Sequence, residues 1–311
     1  MELQSQEVMF LQTAEAIYWP LLEQSSRSVR AYCDRHGFGF HTFFGVLRGH
    51  LPWHATYNRI TIIRSLADAG YQGWVFYLDS DAYIISLAFD LRVWLGEQRK
   101  RALIIAPAAP DAPWWHVNSG VFIINLGSVM GQRIARGWSD RFNAIPDEAL
   151  LCADEWTADR GDQWLLAQTL QEMPEAERSV FIDRGTPHLI NYEDGLFIRH
   201  QLRAYGSLRE RHDRISRETD RLLGQTGSTT TDQAVDTADV ARMQDQLARA
   251  LYRTVLLREP DPGGLATWLE FIRSGAALEH VLSAYFRSDE FARMYPRFIA
   301  RHVNAWPHLK Q

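Results

Sequence analysis

Asp79-Ser80-Asp81 follows directly on the apolar run 73–78, GWVFYL. Two carboxylates at i and i+2, at the carboxyl end of a buried strand, stand where α/β sheets hold their ligands. Hard oxygen donors there suit Mn²⁺ or Mg²⁺ bridging to phosphate oxygens. Such an ion would neutralise the charge that grows on a departing diphosphate. Taken alone, the pattern is more often an acidic turn closing a strand.

Other candidates stand further along. Asn118-Ser119-Gly120 enters the apolar run 121–125, so an amide and small groups would face a bound sugar. Gly161-Asp162-Gln163 opens a helical pattern, where Asp162 fits a helix cap. His200 closes Phe197-Ile198-Arg199-His200 and, on the residues alone, reads as a surface histidine in a polar run. Trp114 and Trp115 precede the Asn-Ser-Gly segment, and their rings suit stacking on an acceptor or packing of a loop.

These residues need a scaffold, and the pattern supplies one. Residues 8–13 (VMFLQT) read as a first strand. A helix over 18–36 stops at Gly37, strand 38–45 follows, and a helix over 57–69 ends at Gly70. Residues 73–78 carry β-branched and aromatic side chains without alternation, as in the middle of a parallel sheet. Runs 103–106 and 121–125 are of the same kind. Helical periods return at 129–142 and 163–170, with short strands at 181–183 and 196–198. Strand and helix alternate throughout, which predicts an α/β fold with helices on both faces of the sheet. Residues 205–223 are rich in Arg and Glu and read as a solvated helix.

The series as a whole resembles glycosyltransferases of the GT-A, Rossmann-like fold. The similarity is greatest to the retaining galactosyl-, mannosyl- and xylosyltransferase family of fungal mannan and plant xyloglucan synthesis. It spans roughly residues 8–205 and rests on RITIIRSL ahead of GWVFYLDSDAYI, then NSGVFIINLG, GDQWLL and FIRH. The resemblance implies a metal-dependent transfer of a hexose, with retention, from a nucleotide sugar (UDP-linked by default) to a carbohydrate-bearing acceptor. Asp79 would meet the donor ribose and the metal, Asp81 would bind the metal directly, and His200 would complete its protein ligands. Ser80, Asn118 and Ser119 would lie along the donor, with Asp162 and Gln163 flanking the reacting carbon and Trp114 and Trp115 near the acceptor. Arg59 would reach the donor, with Asn58 and Arg64 as neighbouring alternatives. Two departures stand out: Ser80 replaces the more usual Ala, and QLRAY follows His200 in place of a glycine-rich ending.

The whole chain is consistent with such an enzyme. Of its 311 residues, 46% are hydrophobic and 23% charged, the balance of a soluble protein with a core. A net charge of -5 without a basic block gives no case for nucleic acid. The two cysteines, Cys33 and Cys152, have no metal-ribbon spacing and fit a reducing compartment. With no leader pattern and no run of about 20 apolar residues, a cytoplasmic location is expected, and any membrane contact would be peripheral. Eleven tryptophans are a mild pointer to sugar-handling surfaces. A nucleotidyltransferase would show a Gly-rich, basic phosphate loop after its first strand, where this chain has QTAEAIYW. A nucleotide-sugar hydrolase or a non-catalytic sugar- or nucleotide-binding protein is the alternative.

The polar, aperiodic stretch 224–240 reads as a linker between a catalytic domain, 1–223, and a small all-α domain, 241–311. In the latter, Leu251-Tyr252-Arg253, Arg258-Glu259-Pro260-Asp261, Gly264, Trp268, Gly275 and Ser288-Asp289-Glu290-Phe291 resemble a bacterial domain of unknown function, 4214. Its acids do not have calcium-loop spacing and read as caps and turns. A docking module for a partner protein or an acceptor is expected there.

Overall fold

The computed structural model describes residues 8–151, 161–185, 187–224, 244–245, 248–249, 251–252, 258–273, 281 and 293. The chain divides into two compact units, Met1–Gly227 and Ser228–Gln311.

The first unit is a three-layer α/β structure. Its strands are β1 (Val8–Ala14), β2 (Gly39–Phe44), β3 (Trp74–Asp79), β4 (Ala82–Ile84), β5 (Leu103–Pro107), β6 (Val117–Asn125), β7 (Val180–Ile182) and β8 (Ile198–His200). Its helices are α1 (Trp19–His36), α2 (Asn58–Asp68), α3 (Leu91–Glu97), α4 (Val129–Asn143), α5 (Asp147–Leu151), α6 (Asp162–Gln171) and α7 (Leu208–Leu222). The main sheet runs β2-β1-β3-β6-β5-β7.

Alternate residues of the central strands feed two cores. Val75 and Tyr77 of β3 join Phe122 and Ile124 of β6 on the face covered by α2, α4 and α6. Trp74, Phe76 and Leu78 join Val121 and Ile123 on the opposite face, with Val29 and Tyr32 of α1 and Leu91 of α3. This double burial explains the unbroken apolar runs. Truncating a ring such as Phe76 or Trp138 to Ala would cost about 3–5 kcal/mol.

Helix ends follow local chemistry. Gly37 closes α1 in the left-handed region, φ 66°, which glycine enters without steric strain. Ser128 caps α4 by accepting from the Gly131 N–H, and Ser207 with Glu210 forms a reciprocal capping box at α7.

Three features depart from the pattern-based expectations. β6 runs antiparallel to β3 and β5, because an apolar run has the same composition in either direction. β6 also begins at Val117, which places Asn118–Gly120 inside the strand rather than before it. The third departure is α7, which is not solvated all round: Arg211, Ile215 and Thr219 are buried.

In the second unit, α8 (Pro262–Arg273) packs around a small core of Ala248, Leu251, Tyr252, Ile272 and Val281. Asp261 accepts from the Gly264 N–H at 2.8 Å, as a turn or cap residue does. Arg253, Gly275 and Ser288-Asp289-Glu290-Phe291 lie outside the described residues, as do Cys152 and residues 225–240 of the expected linker. Among the described residues, no helix is long and apolar enough to cross a membrane.

Candidate active site

The site is assembled by a small second sheet. β3 delivers Asp79, the chain turns through Ser80 and Asp81, and β4 follows at once. β4 pairs antiparallel with β8, and Ala82 stands opposite His200. A further backbone bond, Gln201 N–H to Asp81 C=O at 3.0 Å, extends the pairing. Ladder register thus brings His200 beside Asp81, 119 residues away in sequence. The acidic turn is braced from beneath. The Gln12 amide donates to the carbonyls of Asp79 and Ala82, and the Ser25 hydroxyl donates to the Ser80 carbonyl at 2.7 Å.

Asp79, Asp81 and His200 each turn one donor atom inward, all within 4.8 Å of one another. His200 Nε2 lies 2.9 Å from Asp81 Oδ1 and 3.9 Å from Asp79 Oδ2. Neighbouring donors around an ion with bonds of about 2.1 Å lie about 3 Å apart, so two carboxylates and an imidazole at these separations fit a divalent cation. Gly120 makes room for them. A Cβ there would overlap the His200 ring and come within 2.9 Å of Asp79 Oδ2.

His200 is fully enclosed, not a surface histidine. Its Nδ1 stands 2.6 Å from Asn191 Oδ1. Asn191 Nδ2 in turn donates to the Asn118 carbonyl at 3.2 Å, which fixes the amide so that its oxygen faces the ring. Nδ1 therefore carries a proton, and Nε2 is the nitrogen left to give up its own to a metal. Asn191 is buried at φ 70°, a left-handed conformation that Asn tolerates better than most residues.

Arginines balance the acids. Arg59, buried in α2, donates to Asp79 Oδ1 at 2.6 Å and to the Ser119 carbonyl at 2.5 Å, and lies 3.3 Å from Asp162 Oδ2. Its guanidinium sits 4.4 Å from the Tyr77 ring centroid. Arg64, by contrast, is engaged outside the site with Asp68 and Asp140, and Asn58 holds the Leu47 N–H and the Gly45 carbonyl. Arg211 of α7 donates to Asp81 Oδ2 at 2.5 Å and to the Gln201 carbonyl.

The titrations follow from this geometry. Burial pushes the Asp79 carboxyl up, to about 6, although Arg59 offsets part of the effect. Burial acts on Asp81 in the same sense, but His200 and Arg211 outweigh it and hold that carboxyl below its ordinary value. Burial would depress His200, yet Asp81 and Asp79 outweigh it and raise the imidazole.

Asp162 is the first residue of α6, and the preceding Gly161 holds the cap position. Its carboxylate does not cap the helix but accepts from the Ser119 hydroxyl at 2.6 Å. Gln163 Oε1 accepts from the Ser119 N–H. A cleft of about 410 Å³ brings together Asp79, Asp81, Asn118, Asp162, Gln163 and His200, within the range of small-molecule sites. Trp114 and Trp115 line neither this cleft nor its neighbour. They lean half-buried on the core beneath α2, α4 and α6.

The neighbouring cavity opens from the same carboxylates toward the end of β1. Glu15, Tyr18, Trp53 and Thr56 line it, together with Ser80. Glu15 Oε1, Trp53 Nε1 and Thr56 Oγ1 are enclosed without a hydrogen-bond partner among the described residues. Sequence reasoning missed this group and also Asn191 and Arg211. Only the order strand-then-Glu15 was there to mark it.

Comparisons with solved structures agree with this architecture. The chain is similar to the crystal structure of a glycosyltransferase involved in glycosylation of the major capsid of PBCV-1. Identity is 16% over 68% of this chain and 99% of that one, with a TM-score of 0.51. Looser likenesses are to the glycosyltransferase GlyE of Streptococcus pneumoniae TIGR4 (15% identity, 77% and 72% covered, TM-score 0.41) and the galactosyltransferase LgtC (15%, 74% and 99%, 0.40). No curated protein matches the sequence. Residues 237–295 match the family described as a domain of unknown function, DUF4214. The first unit therefore has the GT-A glycosyltransferase fold, carries an Asp-Asp-His group able to hold a metal ion, and precedes a DUF4214 segment.

Proposed function

We propose that this protein is a metal-dependent glycosyltransferase that moves a hexose from a nucleotide sugar, UDP-linked by default, to a carbohydrate-bearing acceptor. The observation that carries the reading is the Asp79, Asp81 and His200 triad set between two cavities of different character. The cavity of Glu15, Trp53 and Thr56 offers unpaired polar atoms to a nucleoside. The cleft of Asn118, Asp162 and Gln163 offers polar groups to a sugar.

When bound, Mn²⁺ or Mg²⁺ supplies Lewis-acid stabilisation of the leaving diphosphate. The chain's own residues do the rest. Arg59 ties Asp79 to Asp162, so the carboxylate nearest the donor and the one at the sugar are held in one frame. The acceptor hydroxyl oxygen forms a bond to the sugar's anomeric carbon as the bond from that carbon to the diphosphate oxygen breaks. The electron pair leaves with the diphosphate, which also takes the hydroxyl proton. Asp162 and Gln163 stabilise the positive charge that develops on the sugar carbon. Attack from the leaving-group face gives retention, as in the fungal and plant family that the motifs resemble. The second unit serves as a docking or acceptor-binding module.

The test is a panel of nucleotide sugars, with and without Mn²⁺, scored for nucleotide release and for the shift in Tm. The parent should release nucleotide from one donor in a metal-dependent way, and Asp81→Ala should lose both the release and the metal-induced shift. Release by the variant at the parental rate would remove the metal from the proposal. A parent that binds a nucleotide sugar but never turns it over would leave a binding protein.

A further inference from the structure

Three arginines reach the two cavities or the acids between them, and two are already paired with carboxylates. Arg59 is held by Asp79, Asp162 and the Ser119 carbonyl. Arg211 is held by Asp81 and the Gln201 carbonyl. Arg203 is different. It stands on a single 3-10 turn, Arg203–Tyr205, three residues beyond His200, and is exposed. Among the described residues its guanidinium has no carboxylate, carbonyl or amide partner. It rests only near the Tyr18 ring, 5.4 Å from the centroid.

Its position is as informative as its freedom. Arg203 lines both cavities, the one with Glu15, Trp53 and Thr56 and the one with Asp162 and His200. A nucleotide sugar spanning them would place its diphosphate at that junction. The junction already contains the carboxylates of Asp79 and Asp81, which take up much of the charge of a bound metal ion, so a doubly charged diphosphate entering there gains from a further cation not spent on those acids. An exposed cation–π contact is worth only about 0.5–1 kcal/mol, so little holds the side chain back. A guanidinium also presents paired N–H donors matched to phosphate oxygens.

We propose that Arg203 grips the diphosphate of the donor, leaving the Tyr18 ring to do so, and is the chain's main cationic contact to that group. The proposal rests on the donor reading given above. It also accounts for the segment after His200, QLRAY, in which the arginine supplies a side-chain cation close to the triad.

The experiment compares nucleosides with their diphosphates. Full-length parent, Arg203→Ala and Arg203→Lys are titrated calorimetrically, in Mn²⁺, with uridine, UDP, guanosine and GDP. Circular dichroism and Tm serve as folding controls. For the base that the parent binds, Arg203→Ala should weaken the diphosphate by about ten- to a hundredfold, as expected for lost charge-assisted hydrogen bonds. The nucleoside should bind the variant as it binds the parent. Arg203→Lys should recover part of the loss. Equal diphosphate affinity in parent and Arg203→Ala would overturn the assignment and leave the donor reading intact. An equal loss for nucleoside and diphosphate would also overturn it, by showing that the side chain merely shapes the cavity. A parent that binds neither diphosphate would overturn the donor reading itself.

Discussion

The two sides of the cleft are built on opposite principles. On the triad side, Asp79, Asp81 and Asp162 are matched by Arg59, Arg211 and a raised His200, so the charges are balanced within the chain. On the other side, Glu15 Oε1, Trp53 Nε1 and Thr56 Oγ1 lack protein partners among the described residues. The first side is electrostatically complete and must be rearranged to take a cation. The second is short of hydrogen bonds, and a ligand there would supply them once these enclosed atoms turn toward it. Binding at the triad should therefore be proton-linked and geometry-limited, whereas binding at the second cavity should trade against stability.

The largest effect should come from geometry at the triad. Gly120→Ala places a methyl group into the His200 ring and against Asp79. The histidine must then leave its position, and overpacking of this kind destabilises by about 1–3 kcal/mol. The variant should remain folded with a lowered Tm and should lose the Mn²⁺-induced Tm shift. A full metal response in Gly120→Ala would mean that the ion, if it binds, does not use His200.

Next in size is the support behind the ring. Asn191→Leu removes the acceptor at His200 Nδ1 and the tie to the Asn118 carbonyl. Loss of such a partner typically weakens metal binding by about 10–100-fold, measurable by titration with Mn²⁺ while following its electron paramagnetic resonance. Asn191→Asp, which keeps the acceptor, should be the milder change. If both variants bind Mn²⁺ like the parent, the imidazole is not held by this contact.

Proton linkage gives a smaller, graded effect. In the metal-free protein both ring nitrogens of His200 face acceptors, Asn191 and Asp81, and although burial opposes it, Asp81 and Asp79 raise the imidazole above its ordinary value. Its stabilising contribution is complete below the unfolded histidine value and is lost as pH rises through the higher folded value. A metal requires the neutral ring. Its affinity should therefore rise by about tenfold per pH unit between the Asp79 value of about 6 and the folded His200 value, more steeply below that range where Asp79 must also lose its proton, and level off above it. Metal affinity and metal-free stability should thus run in opposite directions with pH, and parallel trends would contradict the balanced-charge description.

The same contrast explains what the sequence could reveal. Asp79, Asp81, Asn118, Asp162 and His200 were legible because each stands at the edge of a strand or helix pattern, where a polar group has a reason to be, and because their order matches that of the resembled family. Arg59 was marked only by the family resemblance, with Asn58 and Arg64 as alternatives, because an arginine near the start of a helix is otherwise read as a solvated charge. Arg211 was not, because α7 also carries Arg209, Arg214 and Arg217, and nothing local marks which arginine turns inward. Asn191 sits in an irregular segment whose fold depends on the β4–β8 pairing, a long-range event with no local pattern. Strand direction was illegible for a related reason: β6 buries both faces whichever way it runs. Gly120 was read as leaving room for a sugar, whereas it leaves room for His200.

The smallest effect is also the one that separates the two sides most cleanly. Thr56→Val deletes an enclosed hydroxyl that has no partner among the described residues and keeps nearly the same shape. Removing an unsatisfied polar atom should leave the protein unchanged or more stable by up to about 1 kcal/mol. If that hydroxyl serves a nucleoside, the same substitution should weaken uridine or UDP by about two- to tenfold, the worth of one neutral hydrogen bond. Stability and affinity then move in opposite directions from a single atom, which no triad substitution should do. Lower stability together with unchanged nucleoside binding would show that Thr56 is satisfied within the protein, and the second cavity would lose one of its three claims to a ligand.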